Sequence, residues 1–358
     1  MECIQVDKEK KYINDFLSLP KKLYTSSTNM ESADSMRSLL LGTHPLSKYF
    51  SIDFFVIYEG TEAVGRFGIT EYEGDENAYL GFFECVKRDE VAKFLFEEAD
   101  RIVKGKGKTK IVGPVDASFW LKYRLKINMF DKAPYTGEPY NREYYFDLFR
   151  NNGYVVREHY TSNAYRAVDE TYTNDKFEER YKQFLANGYT IESPTVEGYD
   201  EAVDAVYDLI TELYSDFPIY KDVKREDFRE LFASYKSIMN MSMTKIAYFN
   251  GKAVGFYISL PDYGSKVYHL NPVNILKILK LRKKPDRYVM LYMGVDQSHR
   301  GLGKAIVYSI MKELESNKLP SIGALARDGK VTQTYVIEEA TDIYEYVLME
   351  HDLGGDNK

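Results

Sequence analysis

The stretch SHRGLGKA, Ser298 to Ala305, decides how this chain is read. It follows an apolar run, Arg287 to Val295, and precedes a segment in which Leu302, Ile306, Ile310 and Leu314 recur every four residues. The spacing predicts strand, glycine loop, helix. Such a loop leaves the first amides of the helix unpaired and pointing outward. Gly301 and Gly303 would let a ligand approach the backbone, and the helix dipole favours an anion there. Two nucleotide-binding patterns are excluded. The dinucleotide fingerprint needs a third glycine where Ile306 stands, and a Walker A loop needs Ser or Thr where Ala305 follows Lys304. A phosphate cradle or a plain helix start remain.

Working outward, the loop belongs to a repeat. DFFVIYEGTEAVGRFGIT (Asp53 to Thr70) and TKIAYFNGKAVGFYISL (Thr244 to Leu260) each read as a β-hairpin, turning at Glu59-Gly60 and Asn250-Gly251. Each is followed by a predicted strand, helix and strand. In the first half these are Tyr79–Val86, Asp89–Lys104 and Lys110–Val115. In the second they are Arg287–Val295, Gly301–Asn317 and Ser321–Ala326. Helices are expected over Tyr199–Phe217 and Arg225–Met239. Two copies of one α/β unit follow, with a boundary in the polar stretch Val168 to Asp175. The expected domains are 1–168, interrupted by an aromatic and proline-rich insertion at 113–141, and 176–358.

Composition narrows the function. At 358 residues the chain suits about two domains. Its net charge of −7 argues against a broad nucleic-acid footprint. Cys3 and Cys85 have neither metal-ligand nor disulfide spacing, so a reducing, cytoplasmic setting and no metal are expected. The first residues lack the apolar core of a signal peptide, and no apolar run is long enough for stable membrane insertion. The 32 Tyr and 20 Phe suit packed cores and lined clefts better than base stacking.

Arg300-Gly301-Leu302-Gly303-Lys304-Ala305 resembles R-x-x-G-x-A, the pyrophosphate-binding motif of the GNAT acyltransferase superfamily, and the hairpin, strand, loop and helix occur in that superfamily's order. GFFEC, GPVDASFW and PYNREYYFDLFRNNGY in the first half, with LKILKLRKKPDRYVMLYMGV in the second, are similar to a family of bacterial tandem GNAT-like proteins from which no substrate carries over. The resemblance implies an α/β fold with two tandem GNAT-like domains. Each would hold a mixed, mostly antiparallel sheet with a splayed strand pair and flanking helices. It implies acetyl-CoA or another acyl-CoA as co-substrate. Arg300 to Ala305 would hold its pyrophosphate, and Met293, Gly294 and Val295 its pantetheine and thioester carbonyl. It also places Tyr335, on an expected helix, as the acid that protonates the leaving sulfur, although Glu339-Ala340 replaces the family's Gly-Phe. The first copy keeps Gly153-Tyr154 but has Phe149 in place of that tyrosine.

Where the second copy has its glycine loop, the first has KRDEVAK (Lys87 to Lys93). Asp89 and Glu90 suit a helix start and would repel pyrophosphate, so only the second copy is expected to bind cofactor. No general base is evident on Arg287 to Met293; Asp262 and His269, just past the hairpin, are the candidates. The insertion is expected to wall an acceptor pocket between the domains, with Asp116, Trp120, Tyr135, Tyr140 and Asn141 lining it. Ile275 to Lys284, ILKILKLRKK, reads as apolar on one side and basic on the other. An adenosine 3′-phosphate or an anionic membrane surface would suit it, but a short helix covering the core is preferred.

The expected activity is acyl-CoA-dependent N-acyl transfer, with acetyl as the expected group, to a small-molecule or peptide amine. A homodimer is left open. The rivals are a non-catalytic acyl-CoA or small-ligand sensor, and an aminoacyl transferase of the peptidoglycan type, which also pairs GNAT folds.

Overall fold

A computed structural model describes residues 1–7, 9–330 and 335–354. In chain order the elements are β1 (Glu2–Gln5), α1 (Lys10–Leu23), α2 (Ala33–Leu40), β2 (Ser51–Glu59), β3 (Glu62–Glu71), β4 (Asn77–Cys85), α3 (Asp89–Gly105), β5 (Lys110–Gly113), β6 (Leu125–Lys126), α4 (Tyr145–Asn151) and β7 (Val155–Tyr165). There follow α5 (Asp175–Ala186), β8 (Tyr189–Glu192), α6 (Tyr199–Leu213), α7 (Arg225–Phe232), β9 (Thr244–Phe249), β10 (Lys252–Pro261), α8 (Pro272–Lys283), β11 (Tyr288–Val295), α9 (Leu302–Asn317), β12 (Ser321–Arg327) and β13 (Ala340–Asp352). The strands form mixed sheets flanked by helices.

The chain divides into two compact units. The first is Met1–Pro134, Glu138–Tyr160 and Tyr344–Lys358; the second is Tyr135–Gly137 and Thr161–Ile343. In the first unit the strands run β1-β2-β3-β4-β5-β13, with β6 also on β13. In the second they run β8-β9-β10-β11-β12, followed by β7 from Thr161 on. The β4–β5 and β11–β12 pairs are parallel, whereas β1–β2, β2–β3, β3–β4, β5–β13, β8–β9, β9–β10 and β10–β11 are antiparallel. Both hairpins form where expected. Asn250 and Gly251 take φ of +51° and +78°, the pair of positive values that a type I′ turn needs.

The division departs from the expected one. Residues from Tyr344 to Asp352 serve the first unit: Met349–Asp352 pair with β5 and Tyr346–Val347 with β6. Val347 and Met349 join its core, beside Phe67, Leu95, Phe96 and Phe149. Strand pairing is non-local, and the apolar alternation of YEYVLM suits any sheet with an open edge. Nothing local to the segment could have told which sheet it completes.

Helix α8 forms, but it does not cover the core. Only Ile278 is buried, while Val273, Ile275, Leu276 and Leu279 are exposed.

Candidate functional site

In the second unit β11 and β12 are paired in parallel only at Tyr288–Ser321, Val289–Ile322 and Met290–Gly323. Beyond Met290, β11 keeps β10 alone, through to Val295 opposite Gly255. The parting has a local cause. Ile258 faces Tyr292 while Ser259 faces Met290, so Leu291 is an extra residue, and such a bulge bends the strand. On the other side, Leu325 of β12 has φ of +59°, and its amide donates to Ser162 Oγ at 2.8 Å rather than to β11. Met293, Gly294 and Val295 therefore lie on a strand segment with one edge free of β12. The Tyr214 hydroxyl, at the end of α6, donates to the Met293 carbonyl at 3.0 Å, and its ring stacks on Phe217. Sequence reasoning missed Tyr214; one tyrosine among 32, past the end of a helix, carries no periodic signal.

The loop after β11 is tied down at its base. The Asp296 carboxylate accepts from the Ser298 amide at 2.9 Å and hydroxyl at 2.6 Å, and its own amide donates to Val254 O. His299 is held by the Tyr189 hydroxyl, 2.8 Å from Nδ1. Gly301 caps α9 with φ of +92°, a conformation glycine adopts without strain. Leu302 and Lys304 donate to carbonyls within the loop. Among the described residues the amides of Gly301 and Gly303 donate to no backbone group, and the first turn of α9 holds no acidic residue. These free amides, the helix dipole and the side chains of Arg300 and Lys304 suit an anion such as a pyrophosphate.

Tyr335 reaches this same place. A methyl group built on Gly303 would lie 2.6 Å from the Tyr335 hydroxyl and 3.0 Å from Met293 Cε. The Tyr335 ring meets Phe177 edge-on, its carbonyl accepts from the Tyr165 hydroxyl, and burial raises the phenol pKa, keeping the proton on. The expected helix is not its setting. Tyr335 sits in a turn, followed by a short 3-10 segment, Ile337–Glu339, that leads straight into β13. Val331 to Thr334 lie outside the described residues. The Glu339-Ala340 departure from the family pattern falls where strand replaces helix.

Asp262 is not a free base. Its Oδ1 accepts from the Thr136 amide at 2.9 Å, the Thr136 hydroxyl at 3.1 Å and the Gly264 amide at 2.9 Å. Its Oδ2 accepts from Arg287 through Nε and Nη2. Both oxygens are committed, Oδ1 to Thr136 and Gly264 and Oδ2 to Arg287. His269 ends a 3-10 turn, Gly264–Tyr268, and its carbonyl accepts from Asn274 Nδ2 at 2.8 Å.

The expected acceptor set is dispersed among structural tasks. Tyr135 shares a hydrogen bond with Ser162. Asn141 clamps the backbone of Lys126, accepting from its amide at 2.7 Å, and the Tyr140 ring lies 5.1 Å from the Lys126 ammonium. Trp120 packs edge-on against Phe119. Asp116 accepts from the Phe82 amide at 2.5 Å.

That last bond belongs to a contrast with the first unit. There β4 and β5 part in the same way, after Tyr79–Val112. The free edge of β4 is then filled by protein. Val115 donates to Leu80 O, Asp116 accepts from Phe82, and Tyr144 and Tyr145 bond the carbonyl and amide of Cys85. A methyl group on Gly81 would lie 1.9 Å from Val115 O. Behind it, Arg66 is wholly buried, its guanidinium donating to Glu31 and to Phe16 O and lying 3.9 Å from Glu84. Burial pushes the Glu84 and Asp116 carboxyls up. The helix start carries Asp89 and Glu90, with Arg88 paired to Glu59 and Glu90.

No protein-family model matches the chain. It is 21% identical over 265 residues to a bacterial ceramide synthase of Caulobacter vibrioides, covering 70% of this chain and 68% of that one. Its structure is similar to a tandem GNAT protein from the clavulanic acid biosynthesis pathway, with a TM-score of 0.56, 12% identity and 99% of both chains covered. It is similar also to a GCN5-related N-acetyltransferase of Anabaena variabilis, with a TM-score of 0.52, 8% identity, and 98% and 73% covered. The fold is that of the GNAT acetyltransferases.

Proposed function

We propose that this chain is an acyl-CoA-dependent N-acyltransferase, with acetyl as the expected group, whose second unit binds the cofactor. The observation that carries the reading is the conjunction at one place of a strand edge parted from its neighbour, Leu291 to Val295, and a helix start with free amides at Gly301 and Gly303. The amides would hold the pyrophosphate. The strand edge would pair with pantetheine and polarise the thioester carbonyl. An acceptor amine attacks that carbonyl, the amide bond forms as the carbon–sulfur bond breaks, the nitrogen gives up a proton to water, and the sulfur leaves as a thiolate that takes up a proton. Tyr335, whose buried phenol keeps its proton, would supply that proton. The name of the Caulobacter relative accords with nitrogen as the acceptor, since a ceramide is an amide of a long-chain amine. In this reading the first unit binds no cofactor.

A second reading has an observation of its own. Asp262 is fully committed, so a non-catalytic acyl-CoA sensor would need nothing further from these residues. Calorimetry with coenzyme A, followed by an acetyl-CoA turnover assay over short and long-chain amines, separates the two. Binding with turnover supports the transferase; binding without turnover across the panel supports the sensor; no binding overturns both.

A further inference from the structure

Helix α8 is an exception to the way this chain buries its apolar side chains. Leu270, Val273, Ile275, Leu276 and Leu279 are 70%, 59%, 46%, 69% and 50% exposed. Thirteen large apolar residues are exposed among the described ones, and five of them fall within these ten positions. Scattered singly they would need no explanation; with four on one short helix and Leu270 just before it, they mark a contact surface. Ile278 alone is buried, and it anchors the helix to the body of its unit.

The charge on the same helix is equally one-sided. Leu270 to Pro285 contains Lys277, Lys280, Arg282, Lys283 and Lys284 and no Asp or Glu, in a chain whose net charge is −7. None of the five forms an ion pair among the described residues. With Ile278 facing inward, helical geometry turns Val273, Leu276, Leu279, Lys280 and Lys283 outward together. Leucines flanked by lysines on one outward face match the headgroup boundary of a bilayer. The apolar side chains enter the acyl layer while the lysine stems lie along it and their ammonium groups reach lipid phosphates. A second copy of this face is a poor partner, because it would set five cations against five. At 12 residues the helix is too short to span a bilayer, and no described helix is long and apolar enough to do so.

We infer that α8 docks this protein reversibly on an anionic phospholipid surface, lying in the interface plane. The inference is independent of the acyl-transfer reading, and its test reads membrane binding alone. The full chain is floated with vesicles of phosphatidylcholine, with and without phosphatidylserine. Binding is expected only to the phosphatidylserine vesicles, and it should fall with salt. Each of Lys277→Gln, Lys280→Gln and Lys283→Gln should weaken it about fivefold. Leu276→Asn with Leu279→Asn should weaken it at least as much. All five positions are solvent-exposed, so circular dichroism should report unchanged folding. Failure to bind phosphatidylserine vesicles would overturn the inference, as would equal binding to both vesicle types or variants that bind like the parent. A dimer in sedimentation that Leu276→Asn dissociates, without vesicle binding, would assign the face to self-association instead. Capture by a polyanionic protein with no vesicle binding would assign it to an acidic partner.

Discussion

The Tyr335 hydroxyl occupies the space that a side chain on Gly303 would need, 2.6 Å from where its Cβ would sit. The helix start that suits a phosphate and the phenol that suits a proton transfer are therefore one steric unit. Gly303→Ala should displace the Tyr335 ring without adding charge. If the phenol is the acid, Gly303→Ala and Tyr335→Phe should each lower turnover at saturating substrate, Tyr335→Phe by about 10²–10⁴-fold, while coenzyme A affinity holds. Gly303→Asp adds a carboxylate beside the free amides and should abolish binding outright. Calorimetry paired with steady-state kinetics reads all three. Turnover unchanged in Tyr335→Phe would make the residue a packing group.

The filled edge of β4 predicts one coenzyme A per chain. Titration should give a stoichiometry near one, and a second equivalent site would contradict the plug that Asp116, Tyr144 and Tyr145 form. Gly81 is its tightest point. A Cβ there meets backbone, which cannot rotate away, so Gly81→Ala should cost at least the upper end of the about 1–3 kcal/mol usual for overpacking. Urea denaturation measures it.

What could be read in the sequence was local. The Asn250-Gly251 turn, the four-residue apolar rhythm of α9 and the strand–loop–helix order around Gly301 all depend on neighbours in the chain, and each appears in the structure. What could not be read depends on distant partners. The segment from Tyr344 pairs with strands more than 200 positions earlier. Asp262 looked available as a base because Thr136 and Arg287, which occupy it, are remote in sequence or ordinary in context. Helix α8 was legible as a helix, but its exposure was not, because periodicity reports the shape of a segment and not whether anything lies against it. Tyr335 kept its place near the motif although the helix expected to carry it is a turn.

The Lys126–Glu138 pair should be a strong point of the first unit. The two groups lie 2.7 Å apart with both side chains wholly buried. Tyr346 also donates to Glu138 at 2.7 Å, and the rings of Tyr140 and Tyr344 lie about the ammonium. Burial lowers the lysine pKa, while the carboxylate beside it favours the charged form. Lys126→Met strands Glu138 and should cost about 3–5 kcal/mol. Adding Glu138→Gln should recover part of that loss, because no buried charge is then left alone. A double variant no more stable than Lys126→Met would show that the lysine acts through packing.

His351 gives the pH dependence. Its Nε2 lies 3.3 Å from an Asp100 carboxylate oxygen, and its Nδ1 lies 2.9 Å from the Gly153 carbonyl. Both partners accept, and only the imidazolium can donate from both nitrogens. The ring also stacks on Tyr154, 5.0 Å away. The hydrogen bond to Asp100 is the main cause that raises the pKa above its ordinary 6.5, against opposing contributions from burial and from Lys104. A folded value raised above the unfolded one means that the folded state binds the proton more tightly. The stabilisation is therefore complete below the unfolded value and is lost as pH rises through the folded one. Melting temperature should fall as pH rises above the ordinary imidazole value of 6.5, and the part of the slope due to this ring should vanish in His351→Gln. Gly153→Ala should mimic the loss at low pH, since Gly153 has φ of +87° and a Cβ there would lie 2.8 Å from the imidazole. A His351→Gln profile parallel to the parent's across the window would mean that the ring does not titrate there. A steeper fall in the variant would mean that the ring is held neutral, and the sign would be reversed.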